Sequence, residues 1–448
     1  MFRMAVPCIT AQLINALYNI VDRIYIGRLP DGGTAALAGL GVSFPIIMMI
    51  SAFASLIGQG GAPLSSIRLG EGRKDEAERI LGCSFSSLIL VSIGLTLFFL
   101  VVKNPLLRVF GASEAIFPYA DQYLSIYLVG TIFVQLSLGM NYFITAQGFA
   151  SVSMKTVIIG AVLNIILDPI FIFWLDMGVM GAALATVIAQ GASAIWVLFF
   201  LFGKQTPLHI RRQYLRPSRR ILLPVLSLGL SPFIMYTTES LVQVAFTSGM
   251  QQYGNDAYVS AISVINSCLQ VLLMPLTGLC QGAQPITSYN YGAGNTQRVK
   301  QTFSVLIRCS MIYCLGIGTF VMLFPSVIIR IFSNDPQLLS IGSYGLRLFL
   351  AGIFIIFLQN SCQNTFLALG EAKISMFLAL LRKVILLIPL CYLLPWLIQT
   401  TGLLGLAPTD GIFLSEAAAD ILASLSTGTV FFFRFRKLIA ENPHRQHS

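Results

Sequence analysis

Charge is scarce in this chain. Of 448 residues, 10% are Asp, Glu, Lys or Arg, against about 25% in a typical soluble domain. That excludes a disordered chain, which combines high charge with low hydrophobicity. It also argues against a soluble globule, which would have to cover its apolar surface with polar groups. Histidine is nearly absent: His209, His444 and His447 fall in a loop and in the tail. The eight cysteines (Cys8, Cys83, Cys268, Cys280, Cys309, Cys314, Cys362, Cys391) form no Cys-x-x-Cys pair and none lies near a His. Zinc-type chemistry therefore has no material here, and the thiols read as small buried hydrophobes. The Asp-Asp-x-x-Asp cluster that a membrane-embedded prenyltransferase needs is missing as well.

What is there is apolar: 56% of residues and a mean hydropathy of +0.80. The bilayer is the solvent that fits. At about 35–40 residues per spanning helix and loop, the length allows about 11–13 spans. The runs are continuous rather than alternating, which disfavours a transmembrane β-barrel. Reading runs between polar breaks predicts an all-α polytopic membrane protein with twelve helices. They cover about 4–27, 35–65, 81–102, 117–147, 156–175, 180–202, 221–249, 257–289, 301–324, 338–369, 375–397 and 412–433. The breaks carry turn chemistry, as in Gly70-Glu71-Gly72 and Gly292-Ala293-Gly294-Asn295. The first run begins almost at Met1 with Arg3 as its only preceding charge. No cleavable signal peptide is evident, and a shortened N-terminus is expected because the other helices have fuller polar flanks.

The net charge of +10 raises the question of nucleic acid, and its distribution answers it. With the N-terminus inside, eighteen loop and tail Lys and Arg fall on the cytoplasmic side, from Arg68 to Arg445. Only Arg28, Lys103, Arg108 and Arg330 fall outside. The excess is the positive-inside signal of a multi-pass cell-membrane protein with both termini cytoplasmic. Basic residues scattered over short loops do not make a nucleic-acid surface. The longest basic stretch, Lys204 to Arg220, reads as a linker lying on anionic headgroups. Domain boundaries are expected at 1–202 (first six-helix lobe), 203–220 (linker), 221–434 (second lobe) and 435–448 (cytoplasmic tail).

The two halves repeat. An offset of 222 positions takes Gly60 to Gly282, Pro63 to Pro285, Gly70 to Gly292 and Gly72 to Gly294. It also takes Phe110 to Phe332, Gly148 to Gly370, Ser153 to Ser375 and Met154 to Met376. Six spans per half return the chain to its starting side. The predicted arrangement is two six-helix bundles related by a pseudo-two-fold along the membrane normal, with alternating access by rocking one bundle against the other. That favours a transporter over a channel or an enzyme, and no catalytic residue is expected.

Acids inside apolar spans are functional candidates by default. Asp168 ends Leu163-Asn164-Ile165-Ile166-Leu167-Asp168-Pro169. Asn164 and Asp168, at i and i+4, share a helix face. Pro169 donates nothing to the carbonyl of Ile165. A carboxylate, an amide and a freed carbonyl suit a proton or a hard cation such as Na+. The plainer reading is an Asp that ties helices together. Asp22 has the alternatives of an ion pair with Arg23 or an interfacial position. Glu239, with no basic residue nearby in sequence, reads as a counter-charge for a cationic substrate or as a polar helix contact. Glu416 and Asp420, also at i and i+4, read as interfacial, and Arg382 and Lys383 as snorkelling to the cytoplasmic face.

At these motifs the chain resembles the multidrug and toxic compound extrusion (MATE) family and its MepA-like bacterial branch. The motifs are Tyr18-Asn19-Ile20-Val21-Asp22-Arg23-Ile24-Tyr25-Ile26-Gly27, Gly60-Gly61-Ala62-Pro63, Ala146-Gln147-Gly148-Phe149-Ala150, Leu163 to Pro169, and Gly181-Ala182-Ala183-Leu184-Ala185-Thr186. The resemblance implies two lobes around a V-shaped cavity and export of organic cations and drugs against inward H+ or Na+, with antibiotic resistance as a consequence. It implies a cation-coupling site at Asp22, Asp168, Asn164, Thr186 and Asn141, with Asp22, Asp168 and Asn164 as the Na+ ligands if sodium is used. Glu239 matches a helix-seven Glu of one branch. That branch's helix-ten Asp has no counterpart; Gln359 and Gln363 stand in that span as candidate substrate-binding groups with Glu239. No cofactor beyond the coupling ion, and action as a monomer in the lipid bilayer, are expected. A lipid-linked precursor flippase is the alternative; it would favour a cationic cavity, whereas the intramembrane charge read here is mainly acidic.

Overall fold

A computed structural model describes residues 1–29, 33–331, 335–402 and 405–441. Nearly every predicted run is helical, and most helices extend past the apolar run into its flanks. The first unit starts with α1 (Phe2–Gly27), α2 (Gly33–Gly70) and α3 (Lys74–Val109). The predicted span 117–147 is two helices, α4 (Phe117–Val129) and α5 (Thr131–Ala146), bent by 59° at Gly130. Then come α6 (Ala150–Pro169), a π-helical segment Ile170–Trp174, and α7 (Gly178–Phe202). After α8 (Arg219–Tyr253) follow α9 (Asp256–Gly292), α10 (Thr296–Leu323) and a short α11 (Pro325–Arg330). The tenth span combines α12 (Pro336–Phe349) and α13 (Ile353–Ala368) across a 3-10 turn. The eleventh runs from α14 (Ala372–Leu380) through a π-helical stretch Leu381–Leu387 into α15 (Ile388–Thr401). The last is α16 (Pro408–Ala440). By length and hydropathy ten of these helices or joined helices suffice to cross a membrane, and the bent α4–α5 pair makes an eleventh. α16 falls outside that test; it carries Asp410, Glu416 and Asp420.

Packing divides the chain into Phe2–Tyr236 and Thr237–Ser448 with Met1, so α8 begins in one unit and ends in the other. The first unit packs α1 on α6, α2 on α3 and α5, and α7 on α5 and α6. Between lipid-immersed helices the apolar effect gives little, and association rests on close approach and on hydrogen bonds. Gly60 and Gly229 show this where α2 crosses α8. A Cβ on Gly229 would stand 1.7 Å from the Leu56 carbonyl oxygen, and one on Gly60 2.1 Å from that of Val225. Large apolar side chains point outward, among them Trp174 (83% exposed), Val101 (80%) and Phe199 (76%), as lipid-facing residues do.

The repeat reappears in the backbone. Gly72 and Gly294 have φ of +76° and +73°, and Gly148 and Gly370 +92° and +80°. Each pair is separated by the 222 offset and turns the chain in the left-handed region open to glycine. Phe332, the partner of Phe110, lies outside the described residues, as do His444, His447 and Arg445.

The basic stretch after α7 is packed rather than loose. Leu208 and Ile210 are buried in the core of the first unit. Glu78 on α3, fully buried, accepts from the His209 backbone N–H (3.3 Å) and pairs with Arg211 Nε at 2.6 Å. Gln147 Oε1 accepts the Leu208 N–H at 3.1 Å and the Thr206 hydroxyl.

Candidate functional site

The cluster in the first unit is built by α1, α6 and α7. Asn164 and Asp168 lie one turn apart on the same face of α6, as their spacing requires. Asn164 Nδ2 donates to Asp168 Oδ1 at 3.1 Å and to Thr186 Oγ1 at 3.4 Å. The Thr186 hydroxyl in turn donates to the Ala182 carbonyl at 3.0 Å. α1 lies along α6, which brings the carboxyl groups of Asp22 and Asp168 within hydrogen-bonding range of each other. All three are buried: Asp168 is 0% exposed, Asn164 2% and Asp22 7%. Arg23 does not ion-pair with Asp22; its guanidinium lies over the Phe44 ring, 5.6 Å from the centroid. The helix does turn irregular at Pro169, where the π-helical segment begins, the response expected when a proline breaks the bond ladder.

Three acceptor oxygens here, Asp22 Oδ1, Asn164 Oδ1 and Asp168 Oδ2, take no donor from the protein. Two buried carboxyl groups that face each other with no donor between them repel unless positive charge stands there. A proton or a small hard cation supplies that charge; Na+ would find the oxygens of Asp22, Asp168 and Asn164, the last after its amide turns. Two residues of this site were not singled out from sequence. Tyr18 lies near both carboxyls, and Tyr123 lies beside Thr186. Tyr18 precedes Asp22 by four positions, so the helical period carried that signal; nothing in the sequence pointed to Tyr123.

Asn141 lies elsewhere. Its Nδ2 donates to the Ser153 carbonyl at 3.3 Å, eleven positions before Asn164 on α6 and so about 16 Å along the helix. Gln359 and Gln363 bond each other at 2.9 Å, and Thr427 donates to Gln359. Both amides are buried, tying α13 to α16.

The second unit corrects the reading of its charges. Arg382 and Lys383 do not snorkel: both are buried, on the π-helical stretch. Arg382 bonds Asp420 Oδ1 through Nε at 2.8 Å and Glu416 Oε1 through Nη2 at 3.1 Å. Glu416 and Asp420 are buried rather than interfacial, and the shared guanidinium offsets the repulsion their spacing implies. Glu239 has a basic partner after all: Lys383 Nζ donates to its Oε2 at 2.9 Å. That partner is 144 positions away in sequence, beyond the reach of local reading. Seven cysteines are buried, Cys309 is half-buried, and all eight are free thiols. Among the described residues no group of three His, Cys, Asp or Glu is placed to hold a metal.

Comparison with known proteins agrees across almost the whole chain. Two curated relatives, each named multidrug export protein MepA, are 24% identical: one from Staphylococcus haemolyticus over 94% of this chain and 91% of its own length, one from Staphylococcus saprophyticus over 96% and 93%. A solved outward-facing structure of a multidrug resistance MATE family transporter shares the fold at a TM-score of 0.90 and 23% identity, covering 97% of this chain and 95% of its own. The family model MatE matches residues 7–170 and 233–393. The chain belongs to the MatE family of multi-pass membrane transporters.

Proposed function

We propose that the protein is an antiporter that exports amphipathic, cationic compounds in exchange for inward H+ or Na+. The observation that carries the reading is the pair of buried carboxyl groups, Asp22 and Asp168, with acceptor oxygens lacking a protein donor. The names of the MepA relatives support export of drugs. In the outward-facing state the ion binds between Asp22 and Asp168, with Asn164 and Thr186 completing the site. The neutralised pair then packs differently around the irregular backbone at Pro169, and drug retention is disfavoured. The lobes rock inward, the ion leaves and drug binds again. Such coupling requires that ion and drug differ in their affinity for the two states.

The flippase alternative would use unpaired basic groups to hold a diphosphate. Arg382 and Lys383 are each matched by acids, which supports the antiporter reading instead. Reconstituted vesicles given a proton gradient or a sodium gradient separately test it. Ethidium accumulation is expected with one of the two gradients, and Asp168→Asn is expected to remove it. Undiminished gradient-driven exchange in that variant would overturn the site.

A further inference from the structure

Between Asp176 and Glu239 the sequence has no acid, and its basic residues are Lys204, Arg211, Arg212, Arg216, Arg219 and Arg220. The strap that carries them is laid along the first turns of α3, within the first unit. Glu78 accepts the His209 N–H and pairs with Arg211. One turn on, Gly82 admits the Tyr214 backbone: a Cβ there would stand 2.9 Å from the Tyr214 carbonyl oxygen. The Ser218 N–H then donates to Cys83 Sγ at 3.4 Å. The Arg79 guanidinium lies over the Tyr214 ring, 5.3 Å from its centroid. The strap therefore has a fixed course, and its side chains have fixed places.

That course leaves most of the charge unmatched. Arg211 is taken by Glu78. Arg212, Arg216, Arg219 and Arg220 are exposed, and among the described residues no acid pairs with them. Other loop arginines are neutralised by the protein itself: Arg68 and Arg73 by Glu71 and Glu76, and Arg434 by Glu371. The strap also sits at a particular depth. Phe199 and Phe202, at the end of α7, and Leu223, just after Arg220 on α8, are large exposed apolar side chains, as befits residues against acyl chains. Guanidinium groups that border such residues lie at the level of the headgroups.

The anion abundant at that depth is the lipid phosphodiester, whose oxygens match the planar fork of an arginine. We propose that Arg212, Arg216, Arg219 and Arg220 form a binding site for the headgroups of anionic phospholipids. A loose basic linker would meet such lipids diffusely. A strap pinned to α3 holds four like charges in one place, and bound lipid relieves their mutual repulsion. The site is separate from the transport pathway and does not depend on the antiport reading.

The test titrates the purified full chain in detergent with phosphatidylglycerol and with phosphatidylcholine of identical acyl chains, and counts bound lipids by native mass spectrometry. Each basic group near an anionic headgroup contributes about fivefold at most. Phosphatidylglycerol is therefore expected to bind about tenfold tighter or more. Changing all four arginines to Gln should abolish that preference. Arg212→Gln with Arg216→Gln, which keeps both charges at the start of α8, should lower it about threefold or more. A control changes four exposed basic residues elsewhere, Lys155, Arg298, Lys300 and Lys373, to Gln and should keep it. Inorganic phosphate in large excess should not displace the lipid. Equal affinity for the two lipids in the unmodified protein overturns the proposal, as does an unchanged preference in a monodisperse double variant. An equal loss in the control would reduce the effect to net charge, and displacement by phosphate would make this a free-anion site; either result also overturns it.

Discussion

At the scale of single residues, the first-unit site was legible and the second-unit network was not. Asp168, Asn164 and Pro169 announce themselves because an acid in an apolar run is expensive, and because a four-residue spacing puts amide and acid on one face. Asp22 joins them on the same cost argument, and what places it beside Asp168 is the packing of α1 along α6, which no local period encodes. Arg382, by contrast, meets Asp420 and Glu416 across 38 and 34 positions; its partners come from tertiary packing that no local period encodes. That contact gives a stability prediction. Arg382→Met leaves two buried carboxylates unpaired and should cost about 3–5 kcal/mol. Adding Glu416→Gln and Asp420→Asn should recover much of the loss, measured as thermal midpoints in detergent. An equal loss in the single and triple variants would mean that Arg382 acts through packing alone.

At the scale of elements, helix existence followed from the apolar runs, and helix breaks did not. The bend at Gly130 between α4 and α5 interrupts an unbroken apolar sequence, so hydropathy reads straight through it. The α2–α8 crossing depends on glycine contacts that are likewise silent in composition. Gly229→Ala places a methyl against the Leu56 carbonyl, and the helices must separate; a loss of about 2 kcal/mol or more is expected. Gly94 on α3 has open space around its Cβ position, so Gly94→Ala should be neutral or stabilising by up to about 1 kcal/mol. Equal thermal shifts in the two variants would remove the close-approach argument. The strap after α7 gives a third test. Glu78→Ala deletes the acceptor for the His209 N–H and the partner of Arg211, and trypsin should then cut near Arg211 and Arg212 at least several-fold faster. An unchanged rate would mean that the buried Leu208 and Ile210 hold the strap without it.

At the scale of the whole molecule, the repeat was the most informative feature of the sequence. It paired Gly72 with Gly294 and Gly148 with Gly370, and the backbone turns in the left-handed region at all four. It did not anticipate where the halves diverge: the π-helical stretches lie at 170–174 and 381–387, which the offset does not superpose, so each half has its irregular turn at its own site. The Lys and Arg asymmetry predicts sidedness. In a cysteine-free background, Glu114→Cys should react with a membrane-impermeant maleimide added to intact cells, and Gln213→Cys should not. The reverse pattern would invert the topology. The central claim is that coupling ion and drug compete through the Asp22–Asp168 pair. Ethidium binding to the purified protein, titrated with H+ and separately with Na+, tests it most directly. The account predicts that one of the two ions weakens ethidium binding in the unmodified protein, and that Asp22→Asn with Asp168→Asn abolishes this dependence. A double variant that keeps the full ion dependence would contradict it.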